Sequence, residues 1–239
     1  MAEKSERQLD TIRLFADLDP EVISDVERHC RWREYAVNET ILDRDSQGGD
    51  VFFVVRGSVL IVNYSFTGRE IALARIGAGS YFGELAAIDG QPRSASVVAL
   101  EPSLVAAVDP KLFNMLVEKH CELSMRLLRR LARIIRTCDD RIMDLSTLGA
   151  HQRVYLELLR LAQPDSDDDG ALVVSPMPAQ KEIASKASTT RETVTRAISQ
   201  LVADGVAERS HKSLRFHDGA RLERLATSLD PDWGEEGAR

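Results

Sequence analysis

The period of the apolar positions changes along this chain, and the changes mark out its organisation. Residues 9–30 carry Leu14, Phe15, Leu18, Val22, Ile23 and Val26 at spacings that share one side of short helical turns. From about Thr40 to Val108 the texture becomes β-like. Val51–Val55, Ser58–Tyr64, Ile71–Ile76, Ser96–Leu100 and Leu104–Val108 are short β-prone runs, with glycines at 48, 49, 57, 68, 77, 79, 83 and 90 around them. Short strands with closely spaced turn signals predict a small β-barrel or sandwich.

From Pro110 the pattern is helical. Leu128, Leu131, Ile135, Cys138, Ile142 and Leu145 are spaced 3, 4, 3, 4, 3, the a/d seam on which two helices wrap around each other. Arginines at 126, 129, 130, 133, 136 and 141 are expected to solvate the rest of that helix. A narrow apolar stripe among so many arginines predicts a dimer axis. The plainer alternative is a helix lying on the core of its own domain. Ser146–Ala150 reads as a hinge, and His151–Gln163 as an amphipathic helix with Val154, Leu158 and Leu161 facing inward. Pro164–Gly170 is a polar loop. Two helices follow, Ala179–Ala187 and Thr190–Asp204, the second ended by Gly205. Val206–Arg209 and Ser213–His217 read as a two-stranded wing around Ser210–Lys212, before a short helix and a frayed acidic tail. The predicted divisions are 1–109 for the β domain, 110–146 for the dimerisation helix, 147–149 for the hinge, 150–225 for the second domain and 226–239 for a flexible tail.

Composition narrows the classes. The chain has 239 residues, 44% apolar and 29% charged, ordinary proportions for a globular protein with one or two cores. No apolar run approaches the ~18 residues of a membrane span. The first residues, MAEKSERQLD, lack the apolar stretch of a secretory signal, so a cytoplasmic protein with no membrane partner is expected. Cys30, Cys121 and Cys138 are scattered, which predicts no metal or iron–sulfur site and suits a reducing compartment. No nucleophile–base pair, P-loop or metal-ligand spacing is found and the five histidines are dispersed, so no enzyme and no cofactor is expected. The net charge of −7 argues against nucleic acid, but charge is local. From Ala179 to His217 seven basic residues (Lys181, Lys186, Arg191, Arg196, Arg209, Lys212, Arg215) face four acidic ones, a basic island in an acidic chain.

Two segments carry chemistry. Phe82–Ala95 reads FGELAAIDGQPRSA. Gly83 allows close backbone approach. Glu84–Ala87 open a short helix whose free N–H groups, those of Leu85 and Ala86 among them, favour negative charge. Arg93 offers a planar donor fork for phosphate oxygens, and Ser94 adds a hydroxyl and another N–H. Glu84 can accept a hydrogen bond from a sugar hydroxyl, so the pattern asks for a ribose phosphate. The second segment is Thr189-Thr190-Arg191-Glu192, which has the T-x-x-E form of a capping box. Val194, Ile198 and Leu201 then give core spacing, Ile183 and Ala184 join them from the preceding helix, and Ala187-Ser188 makes a tight turn. That is the layout of a helix-turn-helix, whose second helix enters the major groove by its N-terminal end. Arg191, Glu192, Thr195 and Arg196 occupy that end. Arginine reads guanine O6/N7, and glutamate accepts from cytosine N4. Gln180, Lys181, Thr190 and Lys212 are the candidates for phosphate positioning.

Phe82–Ala95 resembles the phosphate-binding cassette of the cyclic AMP receptor protein (CRP/FNR) family, and the resemblance runs from about residue 10 to residue 218. Gly83, Glu84, Arg93 and Ser94 match its cyclic-nucleotide-binding members position by position. The resemblance implies an α+β fold: a cyclic-nucleotide-binding β-roll (a double-stranded β-helix, or jelly roll), a long dimerisation helix and a C-terminal winged helix-turn-helix. It implies that Arg93 pairs with the cyclic phosphate, Ser94 bonds a phosphate oxygen and Glu84 bonds the ribose 2′-OH. RETVTR, residues 191–196, resembles the recognition helix, so Arg191, Glu192 and Arg196 are implied to read a TGTGA-like half-site. A homodimer on double-stranded DNA, working with RNA polymerase, follows from the same resemblance. The N-terminal cysteine cluster of the oxygen-sensing branch is missing.

The chain departs from the family at the base. The positions that face the purine, one from each subunit, typically carry Thr and Ser; here they are Cys138 and Asp139. An ionised carboxylate only accepts hydrogen bonds, and guanine presents N1–H and N2–H side by side. Asp139 therefore favours cyclic GMP, or acceptance of both cyclic GMP and cyclic AMP. The usual barrel hydroxyl near the base matches Ala74, which removes a polar contact. Two rivals stay open: a cyclic-nucleotide-binding regulatory subunit that does not bind DNA, and a regulator of this family with a different effector.

Overall fold

The computed structural model describes residues 8–65, 70–165, 170–210 and 212–227. The chain divides into two compact units, Met1–Ile135 and Arg136–Arg239, with helix α4 passing from the first into the second.

The first unit begins with a 3-10 turn, Arg13–Phe15, and helix α1, Pro20–His29. Asp19 caps α1 by accepting from Glu21 N, and Pro20 fits the first turn because its missing N–H would have had no helical partner. Strands β1 (Arg31–Tyr35), β2 (Thr40–Leu42), β3 (Val51–Arg56), β4 (Ser58–Tyr64), β5 (Glu70–Gly77) and β6 (Ser80–Phe82) follow. Helix α2 (Glu84–Asp89), strands β7 (Ser96–Ala99) and β8 (Ser103–Val108), and helices α3 (Pro110–Lys119) and α4 (Cys121–Thr147) complete it. The strands form two four-stranded antiparallel sheets, ordered β1-β8-β3-β6 and β2-β7-β4-β5.

Strand β3 shows how the layers are filled. Val51–Val54 are all buried because both faces of the strand are covered. Phe52 and Val54 pack between the sheets with Tyr35, Val59, Phe82, Val97 and Val105. Val51 and Phe53 turn the other way, onto Phe15, Phe113, Leu123 and Leu127. Phe53 meets Phe15 with ring centroids 4.8 Å apart, and Phe52 stacks on Phe82 at 5.1 Å. Strands β1, β2 and β6 add to those expected. β1 is the charged string RWREY, held as a strand by its ladder to β8 and not by any apolar alternation.

The stretch 110–146, expected as one helix, is two: α3 ends at Lys119 and His120 is extended before α4 begins. α4 carries two apolar stripes. Leu123 and Leu127 are buried and Leu131 packs behind them, so the first turns lie on the core of their own unit. Leu128, Ile135 and Ile142 on the expected seam are 57%, 60% and 60% exposed. Several arginines expected to be solvated are engaged instead, Arg126 and Arg130 among them. Arg126 pairs with Asp17 at 2.5 Å, and Arg130 donates to the Tyr81 carbonyl at 2.6 Å while lying 4.1 Å over the Tyr81 ring.

The second unit contains α5 (Ala150–Leu161), β9 (Gln163–Pro164), β10 (Leu172–Val174), α6 (Gln180–Lys186), α7 (Arg191–Ala203), β11 (Ala207–Arg209), β12 (Leu214–Phe216) and α8 (Gly219–Thr227). Val154, Leu158, Ile183, Val194, Ile198, Leu201, Phe216 and Leu222 form its core. The wing is a four-stranded sheet ordered β11-β12-β10-β9, larger than the expected hairpin because Leu172–Val174 pairs with β12. Gly68, positions 166–169 of the expected loop, His211 of the expected wing turn and the expected acidic tail lie outside the described residues. No helix among the described residues is long and apolar enough to cross a membrane.

Candidate ligand site and nucleic-acid interface

The first site is built on the segment that links β6 to β7. Gly83 is the N-cap of α2 and has φ +84°, a left-handed backbone that L side chains disfavour. A Cβ there would lie 2.9 Å from Arg93 Nη1 and 2.9 Å from the Asp50 carbonyl oxygen, so the position has no room for one. Arg93 is held from both ends. Its N–H donates to the Ser46 carbonyl at 3.1 Å, and its own carbonyl accepts from Asp45 N at 2.9 Å. Its side chain, only 4% exposed, donates from Nη1 to the Gly83 carbonyl at 3.0 Å and lies 5.6 Å from the centroid of Phe52. Arg93 Nε is buried and finds no hydrogen-bond partner among the described residues. Burial pulls its pKa down, and the nearby Asp50 carboxylate opposes that pull. A buried cation without a full partner set is costly, and an anion entering the cradle would relieve it.

Glu84 is likewise buried. Burial pushes its carboxyl above the ordinary range, opposed by Arg130 and by its own backbone N–H. Arg130 Nε stands 3.9 Å from Glu84 Oε1. Within the cassette Arg93 is bonded to Gly83, and Glu84 and Ala86 are buried, while Leu85 and Ser94 are exposed. Cys138 and Asp139 are exposed on α4 in the second unit. Ala74 is exposed on β5. The residues that sequence reasoning missed are Arg130, Asp50 and Phe52. Arg130 stood among the arginines of α4, but no spacing singled it out.

The second site is the α6–α7 pair. The capping residue differs from the expected one. Thr190, not Thr189, is the N-cap of α7 and accepts from Thr193 N, so the box expected over 189–192 is not formed and Thr189 is buried in the turn. Glu192 is then the second helical residue. Its pKa is held down by its own backbone N–H and by the Thr190 hydroxyl. Arg191, Glu192, Thr195 and Arg196 are exposed, as are Lys181, Thr190 and Lys212. Gln180 Oε1 accepts from Thr195 Oγ1 at 3.0 Å, which ties the starts of α6 and α7 together.

A β-roll with a buried arginine–glutamate cassette, followed in the chain by a winged helix-turn-helix with a basic outer end, defines a ligand-binding, DNA-binding transcription regulator. Residues 32–120 match the family described as a cyclic nucleotide-binding domain, and residues 152–225 match the Crp-like helix-turn-helix domain. The chain belongs to the CRP/FNR family and is a cyclic-nucleotide-binding regulator of transcription within it. It is 28% identical over 214 residues to the CRP-like cAMP-activated global transcriptional regulator of Mycobacterium tuberculosis, covering 89% of this chain and 96% of the relative. It is 28% identical over 197 residues to the cAMP-activated global transcriptional regulator CRP of Haemophilus influenzae, covering 81% and 86%. The catabolite activator protein of Thermus thermophilus superposes with a TM-score of 0.52 at 28% identity, covering 91% of this chain and 99% of that one.

Proposed function

We propose that this chain works as a homodimer that takes up cyclic GMP, or both cyclic GMP and cyclic AMP. The occupied dimer then holds a palindromic DNA site with TGTGA-like half-sites and acts with RNA polymerase in the cytoplasm. The buried Arg93 guanidinium, with its unpartnered Nε, carries the reading: it is a preformed cation for a cyclic phosphodiester. Glu84 accepts from the ribose 2′-OH, and Ser94 bonds a phosphate oxygen. Asp139 supports guanine because two adjacent donors suit a carboxylate. Arg191, Glu192 and Arg196 meet the base edges, and two such helices match successive major grooves about 34 Å apart.

Calorimetric titration of cyclic GMP and cyclic AMP into wild type, Arg93→Ala and Asp139→Ala tests the reading. Loss of both nucleotides on Arg93→Ala and selective loss of cyclic GMP on Asp139→Ala are expected. Uptake untouched by Arg93→Ala overturns the phosphate assignment. An equal effect of Asp139→Ala on both nucleotides, or none, overturns the guanine preference. DNA affinity that is the same with and without nucleotide defeats the regulatory link.

A further inference from the structure

The turn of the helix-turn-helix is anchored from outside the motif. Ala187 closes α6, Ser188 has φ +51°, and Thr190 caps α7. A left-handed backbone is disfavoured for an L side chain, so Ser188 needs support to hold the chain reversal there. That support comes from α4. Arg141 donates to Ser188 Oγ from Nε at 3.2 Å and from Nη2 at 2.8 Å, and Nη2 also reaches the Ser185 carbonyl at 3.2 Å. A second arginine, Arg153 on α5, donates from Nε to the Ala187 carbonyl at 3.0 Å and from Nη1 to the Leu148 carbonyl at 2.6 Å.

The link after α4 is bonded too. Leu148 N donates to the Asp144 carbonyl at 3.1 Å, and Gly149 N donates to Gln152 Oε1 at 2.8 Å. Asp144 itself pairs with Arg160 of α5 at 2.9 Å. These bonds tie the end of α4 and the link at 147–149 to α5, and Arg153 ties the same link to the turn. Arg141 lies one helical turn beyond Cys138, about 4.5 Å along the axis, and two residues beyond Asp139. A stiff turn of helix thus separates the residues that face the base, on the proposed reading, from the clamp on the DNA-reading motif.

We propose that Arg141 is a positioning residue that couples nucleotide occupancy to the orientation of α7 through its bidentate hold on Ser188. The proposal rests on the cyclic-nucleotide reading above. The guanidinium touches neither ligand nor DNA in this assignment; it sets where the N-terminus of α7 points.

The test uses full-length protein, cyclic GMP and cyclic AMP as probes, and a duplex selected by wild type from a randomised pool. Nucleotide Kd is read by calorimetry, and DNA Kd with and without nucleotide by fluorescence anisotropy. In wild type the nucleotide is expected to tighten DNA binding by roughly 5- to 150-fold, the usual range of allosteric coupling. In Arg141→Met that ratio is expected to fall toward 1, with nucleotide still bound. Ser188→Ala should act in the same direction, and Arg141→Lys should restore part of the ratio. A wild-type ratio in Arg141→Met, or an equal loss of DNA affinity with and without nucleotide, overturns the proposal. If Arg141→Met does not fold, Ser188→Ala decides on the same criterion. A wild-type protein whose DNA affinity ignores both nucleotides defeats the underlying reading instead, and the coupling role with it.

Discussion

Arg130 and Glu84 meet at 3.9 Å, joining the long helix to the first residue of α2 within the N-terminal unit. Burial pushes the Glu84 carboxyl above its ordinary range, and the Arg130 guanidinium opposes that push without cancelling it. A carboxyl whose folded pKa is raised favours folding more as pH falls through that pKa, because the neutral form is the cheaper one to bury. Ligand binding has the opposite sign, since the ionised oxygens are the better acceptors. Nucleotide affinity is expected to fall on acidification above the ordinary carboxylate range, earlier in Arg130→Ala than in wild type. In Glu84→Gln the profile should flatten. Titrations between about pH 8 and pH 5 check this, and a pH-independent wild type would contradict it.

Gly83→Ala should be severe for so small a change. The left-handed backbone costs an alanine about 1–2 kcal/mol, and the new methyl meets Arg93 Nη1 and the Asp50 carbonyl at 2.9 Å. A fall in Tm of several degrees together with loss of nucleotide uptake is expected. Thermal unfolding beside calorimetry would show it. A variant that binds and melts like wild type would mean that the cradle is not tight.

Arg93→Met should separate function from stability. Nucleotide uptake is expected to disappear while the ligand-free protein keeps or gains stability, because a desolvated cation with an unpartnered Nε is replaced by an apolar chain. Denaturant unfolding without nucleotide measures this. A loss above about 2 kcal/mol would show that Arg93 is structural before it is functional.

The two apolar stripes of α4 should respond differently. Leu127, 4% exposed, faces the core of its own unit, and Leu127→Ala is expected to cost about 2–5 kcal/mol. Ile142, 60% exposed, belongs to the outer stripe, and Ile142→Glu should leave each chain folded but shift sedimentation from dimer to monomer. A dimer that survives Ile142→Glu, Ile135→Glu and the double variant would place pairing elsewhere.

The sequence alone determined what is local. The strands Val51–Val55 and Ser58–Tyr64 were readable because their β-prone runs are bounded by turn signals. The cassette Phe82–Ala95 was readable because its chemistry is concentrated in one short segment, and α7 because Val194, Ile198 and Leu201 repeat at a helical period. Strand β1 was not readable, since RWREY becomes a strand only through its hydrogen bonds to β8. Periodicity could not tell which stripe of α4 meets the core and which stays exposed, because both are apolar and only packing distinguishes them. The roles of Arg130 and Arg141 were hidden for a related reason. On a helix rich in arginine, every guanidinium looks solvated until the fold brings an acceptor to it. Glu84, Ser188 and the Tyr81 and Ser185 carbonyls reach those two arginines only through tertiary folding, and no spacing rule spans such separations.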